Sequence, residues 1–157
     1  MNQPLEIHWR WLGWSALSLD RLYALLRLRT QVFVVEQQCV FQDMDGLDAA
    51  SVHLCGFNAL DELLAYARVL PPGLKYAEAS IGRVLVPESL RGLGLGQRLM
   101  REALDGTMQR FPKAPIRIGA QQRLERFYQA FGFVTLGEPY LEDGIWHVEM
   151  LRGATSD

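Results

Sequence analysis

The chain has 157 residues, 49% of them hydrophobic, with 16 basic against 18 acidic side chains and a formal net charge of -2. That length suits one domain spanning 1–157 with a real core; the near-neutral balance supplies no basic face for nucleic acid, and no apolar run reaches the roughly 20 residues of a membrane span. The start, MNQPLEIHWRW, lacks the basic end and apolar stretch of a secretory signal, and Cys39 and Cys55 are not in a metal-ligand spacing, so a reduced, cytoplasmic setting with two free thiols is expected.

In chain order, Trp9, Arg10 and Trp11 mark a first strand over 6–12. Ser18 is placed to cap a helix, with Asp20 in its first turn and Leu22, Leu25, Leu26, Val32 and Phe33 on one face. Residues 36–50 are polar, acidic and glycine-containing, which reads as a loop with one short helical turn. Strands follow at 52–57 and 63–70, joined by a turn from Asn58 to Asp61 and ended by Pro71, Pro72 and Gly73. Another strand covers 77–86, and Pro87 stops it because proline has no N–H for a ladder. A helix is expected over 94–110, with Leu95, Leu99, Ala103 and Leu104 toward the core and Pro112 beyond its end. Then come a strand at 116–120, a helix carrying Leu124, Phe127, Tyr128 and Phe131 with Gly132 as its C-cap, and two strands, 134–140 and 145–151, around an Asp143-Gly144 turn. The order β-α-β-β-β-α-β-α-β-β is that of an α/β protein, α+β by some schemes: a mixed sheet with helices on its faces.

The segment between the third of these internal strands and the long helix carries the chemistry. Arg91-Gly92-Leu93-Gly94-Leu95-Gly96-Gln97 places three alternating glycines before a helix. Glycine lets the backbone turn tightly and lets a ligand approach it closely. N–H groups at a helix N-terminus, aided by the helix dipole, make a site for an anion such as a pyrophosphate. The known phosphate motifs discriminate. No G-x-x-x-x-G-K-[ST] run exists, and G-x-G-x-x-G fails because Gln97 and Leu99 stand where its last glycine belongs. The pattern that fits is R-x-x-G-x-G, as Arg91, Gly94 and Gly96.

This loop resembles the coenzyme A pyrophosphate loop of the GNAT superfamily of acyl-coenzyme A N-acyltransferases. Tyr128-x-x-x-Gly132-Phe133 resembles a second signature of that superfamily and lies after the expected strand. Arg27-x-Arg29-x-x-Val32-Phe33-Val34-Val35-Glu36-Gln37, Leu64-Ala65-Tyr66-Ala67-Arg68 and Glu142-Asp143-Gly144-Ile145-x-His147 look like its ElaA-like branch. The resemblance spans roughly residues 22–150 and implies a central, mostly antiparallel sheet of about seven strands with helices on both faces. The sheet would be split between the strands ending near Val86 and Ala120.

By the same resemblance, acetyl-coenzyme A is the cosubstrate. Its pantetheine arm pairs along Val84, Leu85 and Val86, its pyrophosphate sits on 92–97, and Arg91 adds charge or shapes the loop. Tyr128 is then the general acid for the leaving thiolate, since tyrosine, with an ordinary pKa of about 10, is protonated at neutral pH. Two departures stand out. The glutamate that many relatives carry in the strand before the loop is absent from Ser80-Ile81-Gly82-Arg83, and Gln121 replaces the asparagine seven residues before the tyrosine. Gln121 remains a candidate contact to the pantetheine arm.

The base is therefore sought elsewhere: Glu36 after the first helix, His53 on a strand, or His147 on a late strand. His147 also stands, with Asp43 and Asp45, as a candidate for acceptor binding. Asp43, Asp45 and Asp48 read either as loop formers in water or, with Glu36, as a field that draws in a cationic amine. They do not complete a calcium loop, because Leu54 stands where its closing glutamate belongs; no metal is expected. Cys39 reads as a small buried residue rather than a nucleophile. The implied reaction is direct attack of a small-molecule or peptide primary amine on acetyl-coenzyme A in a ternary complex. The competing reading is a non-catalytic coenzyme A sensor or scaffold of the same fold, and both monomer and homodimer remain open.

Overall fold

The computed structural model describes residues 3–153; the ends of the expected 1–157 domain lie outside these. Four strands form one antiparallel sheet in the order β1-β2-β3-β4: His8–Gly13, Val52–Phe57, Leu63–Leu70 and Ser80–Leu85. Three more form a second antiparallel sheet in the order β5-β7-β6: Ile116–Gln121 (β5), Val134–Glu142 (β6) and Ile145–Arg152 (β7). The two sheets meet at a single parallel bridge between Ala79 and Ile116, where Arg117 N–H donates to the Ala79 carbonyl at 2.8 Å. Beyond that bridge β4 and β5 part. This is the expected GNAT architecture, seven strands with a split between β4 and β5.

Strand alternation divides the core between two faces. Leu54, Ala65, Ala67 and Val69 point to one side, against Leu95, Leu99, Met100, Ala103 and Leu104 of the long helix Leu95–Arg110 (α2). Cys55, Phe57 and Tyr66 point to the other, against Leu25 of the first helix, Leu19–Arg29 (α1). Fully buried leucines such as Leu25 and Leu99 each contribute roughly 1.5–3 kcal/mol. Close packing also sets the distance between α2 and β1. A Cβ at Gly106 would overlap the Trp11 ring, and Arg110 covers that ring with its guanidinium 4.1 Å from the centroid. No helix among the described residues is long and apolar enough to cross a membrane.

Local signals behave as expected at the helix ends. The Ser18 hydroxyl accepts from Arg21 N–H at 3.1 Å, and Gly132 closes the short helix Glu125–Gln129 (α3) at φ 92°. One feature departs from the simple amphipathic reading. α1 runs on as a π-helical segment, Thr30–Glu36, where the Thr30 hydroxyl donates to the Leu26 carbonyl at 2.9 Å. Hydroxyls bonded back to the i−4 carbonyl disturb helix regularity, and π-helical turns occur often at functional sites. The segment delivers Glu36 and Gln37 to the space between the sheets.

Candidate active site

A cavity of about 650 Å³ occupies the gap between β4 and β5. Its floor is built from β4 (Ile81 to Leu85, then Val86) and β5 (Ile118 to Gln121). Because β4 pairs only with β3 past Ala79, its other edge is left free toward the cavity. A bulge shapes this edge. Tyr66 faces Leu85 while Arg68 faces Gly82, so β4 holds one extra residue, and Arg83 takes φ 50°. A non-glycine residue held there costs on the order of 1–3 kcal/mol. Arg83 is fixed by hydrogen bonds from Nε to Asp43 Oδ1 at 2.8 Å and from Nη2 to the Asp43 carbonyl at 3.0 Å.

The glycine loop reaches the cavity at Arg91 and Gly96. Gly92 and Gly94 have φ of 82° and 79°, and Gly94 is the N-cap of α2. Leu93 is exposed and Leu95 is buried in the core, so these two offer a ligand backbone N–H groups rather than side chains. Gln97 lies in the first turn of α2, its side-chain oxygen 3.7 Å from where a Cβ on Gly94 would be. Arg91 serves the loop's shape: Nε donates to the Val86 carbonyl at 3.1 Å, and Nη1 pairs with Glu36 at 2.7 Å.

Tyr128 enters the same cavity from α3. Phe127 and Phe133 pack edge-on against its ring, at 5.1 and 6.1 Å between centroids. Its hydroxyl makes no hydrogen bond with any described residue. Burial pushes the phenol up to about 12, against a weaker downward pull from Arg123. Gln121 spans the gap, donating from Nε2 to Gln37 Oε1 at 3.1 Å and accepting from Arg123 Nε at 3.0 Å. Gln37 was not singled out for its chemistry from the sequence; its only signal was its place beside Glu36. His147 also lines the cavity. Its Nδ1 is 2.7 Å from the Ile145 carbonyl, its Nε2 is 3.8 Å from Glu142, and its ring stacks on Tyr140.

His53 lies away from the cavity, and the acidic loop, although Asp45 lines the cavity, is held in ion pairs. His53 is fully buried and does not line the cavity. Its Nε2 lies 2.9 Å from the Asp48 carbonyl, which can only accept, so Nε2 carries the proton; Nδ1 then accepts from the Tyr66 hydroxyl at 2.6 Å. With both nitrogens committed in the core, His53 has no place as a base. The acidic loop is likewise spoken for. Asp43 pairs with Arg29 and Arg83, Asp45 with Arg68 and Arg83, and Asp48 with Arg29 and Arg68. Three arginines neutralise three aspartates, so Asp43 and Asp45 are not free charges waiting for a cationic acceptor. The signal for this cluster was present: Arg68 stands in an otherwise apolar strand, where a buried cation needs an acidic partner. Among the described residues no group of three or more His, Cys, Asp or Glu is placed to hold a metal ion.

The cluster makes stability sensitive to acid. Burial pushes Asp45 and Asp48 upward, but hydrogen bonds and charge from Arg68 on Asp45, and from Arg29 and Arg68 on Asp48, hold both carboxyls below the usual range. Burial, aided by the charges of Arg29 and Arg68, lowers His53, against an upward pull from the Asp48 carbonyl and carboxylate. All three therefore bind fewer protons folded than unfolded, and stability falls as pH falls. The histidine contribution is full above about pH 6.5 and is lost as pH drops through its folded value; the aspartate contributions are full above about pH 4 and are lost below it. Thermal melts from pH 8 to 3 should show the midpoint declining in these two stages. A midpoint that rises on acidification below about pH 6.5 contradicts this arrangement.

A split sheet with a glycine loop at the end of the split and a buried tyrosine facing it defines a GNAT-type acyltransferase site. The comparisons agree. The family profile described as Acetyltransferase (GNAT) domain matches residues 27–152, and the chain belongs to that family. Within it the chain is ElaA-like: it is 47% identical to protein ElaA of Escherichia coli, over 93% of this chain and 96% of that one. The crystal structure of E. coli ElaA superposes with a TM-score of 0.87 over 94% of this chain and 99% of that one. An acyl-CoA N-acyltransferase from Pseudomonas aeruginosa superposes with a TM-score of 0.89 at 41% identity, covering 94% and 100% of the two chains.

Proposed function

We propose that this chain forms one N-acetyltransferase domain, moving an acetyl group from acetyl-coenzyme A to a primary amine by direct attack in a ternary complex. The observation that carries this reading is the meeting, in one cavity, of the free β4 edge, the loop at the N-terminus of α2 and the buried Tyr128 phenol. Each suits one part of the substrate. The free edge offers strand-type hydrogen bonds to the pantetheine amides. The loop N–H groups suit the pyrophosphate. An N–H at the end of β4 is available to polarise the thioester carbonyl. Gln121 is tied to Gln37 and Arg123, so its reach toward the pantetheine requires one of these bonds to be exchanged.

Tyr128 then serves the leaving group. At about 12 the phenol is a weaker acid than an ordinary thiol near 8.5. It therefore works by hydrogen bonding to sulfur as negative charge develops, its proton crossing as the new amide nitrogen gives up one of its own. Phe41, Lys75, Glu142 and Asp143 also line the cavity, and the acceptor in this reading is a small or peptidic amine. One observation favours a coenzyme A sensor of the same fold: β4 has no carboxylate in Ser80-Ile81-Gly82-Arg83. Free-thiol release from acetyl-coenzyme A across a panel of amines separates the two. Release with at least one primary amine, and formation of its amide, is the expected result. Tight binding without turnover over the panel, or transfer to hydroxyl acceptors alone, contradicts the reading.

A further inference from the structure

We propose that His147 is the general base that takes the ammonium proton from the acceptor; this rests on the amine-acylation reading above. Nδ1 lies 2.7 Å from the Ile145 carbonyl oxygen, which can only accept, so in the neutral ring Nδ1 carries the hydrogen and Nε2 the lone pair. The nearest charged partner of Nε2 is Glu142 Oε2 at 3.8 Å, too far for a hydrogen bond. The lone pair is thus uncommitted, in a side chain that lines the cavity and is only 13% exposed.

The ring is held in place. Tyr140 stacks on it with centroids 5.8 Å apart and planes 23° from parallel. On the other side of β7, His147 pairs with Gln121, the last residue of β5. The other two bases suggested by the sequence are occupied: His53 by the Asp48 carbonyl and the Tyr66 hydroxyl, Glu36 by Arg91 at 2.7 Å. Charged and titratable groups from several elements surround His147. β6 brings Tyr140 and Glu142, and the following turn brings Asp143. The segment after α1 contributes the Cys39 thiol, which donates to the Asp143 carbonyl at 3.2 Å. From beyond β5 comes Arg123, its Nε turned to Gln121.

His147 Nε2 takes one proton from the acceptor ammonium, freeing the nitrogen lone pair. That pair forms the C–N bond, and the C–S bond breaks with its electrons on sulfur. Tyr128 gives its proton to sulfur, and the nitrogen's remaining excess proton returns to the phenolate through water. The imidazolium releases its proton to solvent, so the net products are amide, coenzyme A thiol and one proton.

The test uses the full chain, acetyl-coenzyme A, the best amine from the panel and that amine's β,β-difluoro analogue, whose ammonium is more acidic. His147→Asn and His147→Ala should melt like the native chain and bind acetyl-coenzyme A equally well. With the strongly basic amine their kcat/KM should fall by roughly 10²–10⁴-fold at neutral pH. That deficit should shrink for the difluoro analogue and as pH rises, because a neutral acceptor needs no base. Added imidazole should restore part of the activity of His147→Ala. In the native chain the acid limb of the kcat/KM profile should weaken with the difluoro amine, a readout that needs no variant. An equal loss for both amines, no loss in a folded variant, or an unchanged native limb would overturn the role of His147 while leaving the acylation reading standing. Failure of the native chain to acylate any amine would overturn both.

Discussion

Tyr128→Phe should leave the fold and the affinity for acetyl-coenzyme A in place while turnover falls by roughly 10²–10⁴-fold, the effect of losing a general acid. The substitution removes one hydroxyl that hydrogen-bonds to no described residue. The edge-on contacts of the ring with Phe127 and Phe133 remain. Melting temperature should change little, because the packing of the ring is kept. A coenzyme A thioester with a more acidic thiol should recover part of the rate, because its thiolate leaves with less help. Steady-state kinetics beside a thermal melt decide the matter. A folded and fully active variant removes Tyr128 from the mechanism.

Asp48→Ala should be the most damaging single change to stability. Asp48 Oδ1 accepts from Arg29 Nη1 at 2.6 Å and from Arg68 Nη1 at 3.0 Å, and both arginines are almost wholly buried. Removing it leaves two buried guanidinium groups with one fewer acceptor each and an uncompensated positive charge. Breaking a buried ion pair from one side costs about 3–5 kcal/mol, a large share of the roughly 5–15 kcal/mol by which domains are stable. Urea unfolding should show a lower midpoint at an unchanged slope. A loss below about 1 kcal/mol would mean that water reaches these arginines as it does a surface pair. The same cluster fastens Asp43 to Arg83 at the β4 bulge, so the variant should also loosen the cavity wall and raise the KM for the acceptor.

The order of strands and helices was legible because each element carries its own period and its own stops. Examples are the apolar run ended by Pro87, the Ser18 cap, and Gly132 after the aromatic helix. The glycine loop and Tyr128 were legible for a related reason: short contiguous motifs keep their meaning without tertiary information. What stayed hidden depends on residues far apart in the chain. Asp43, Asp45 and Asp48 look like free charges until Arg29, Arg68 and Arg83 are brought to them. Glu36 looks like a free carboxylate until Arg91 closes on it. His53 looks functional by type, yet the Asp48 carbonyl and Tyr66 turn it into a core hydrogen-bonding group. The π-helical turn at Thr30–Glu36 was equally unreadable, since an apolar face continues through it at nearly helical spacing.

In the proposed complex acyl-coenzyme A lies in the split with its pyrophosphate on the loop before α2. Calorimetric titration of acetyl-coenzyme A into the native chain and Gly94→Val tests this placement most directly. Gly94 has φ 79° as the N-cap of α2, and a Cβ there has room, its nearest neighbour being Gln97 Oε1 at 3.7 Å. Valine is therefore opposed by backbone conformation rather than by crowding, at a cost of about 1–2 kcal/mol or more for a β-branched residue. The loop should shift and its N–H groups lose their common aim. Saturable binding to the native chain is expected, with a fall in affinity of roughly tenfold or more in the variant and a melting midpoint lowered by only several degrees, so that the variant stays folded. Equal affinity in two folded proteins would contradict the placement of the pyrophosphate on this loop.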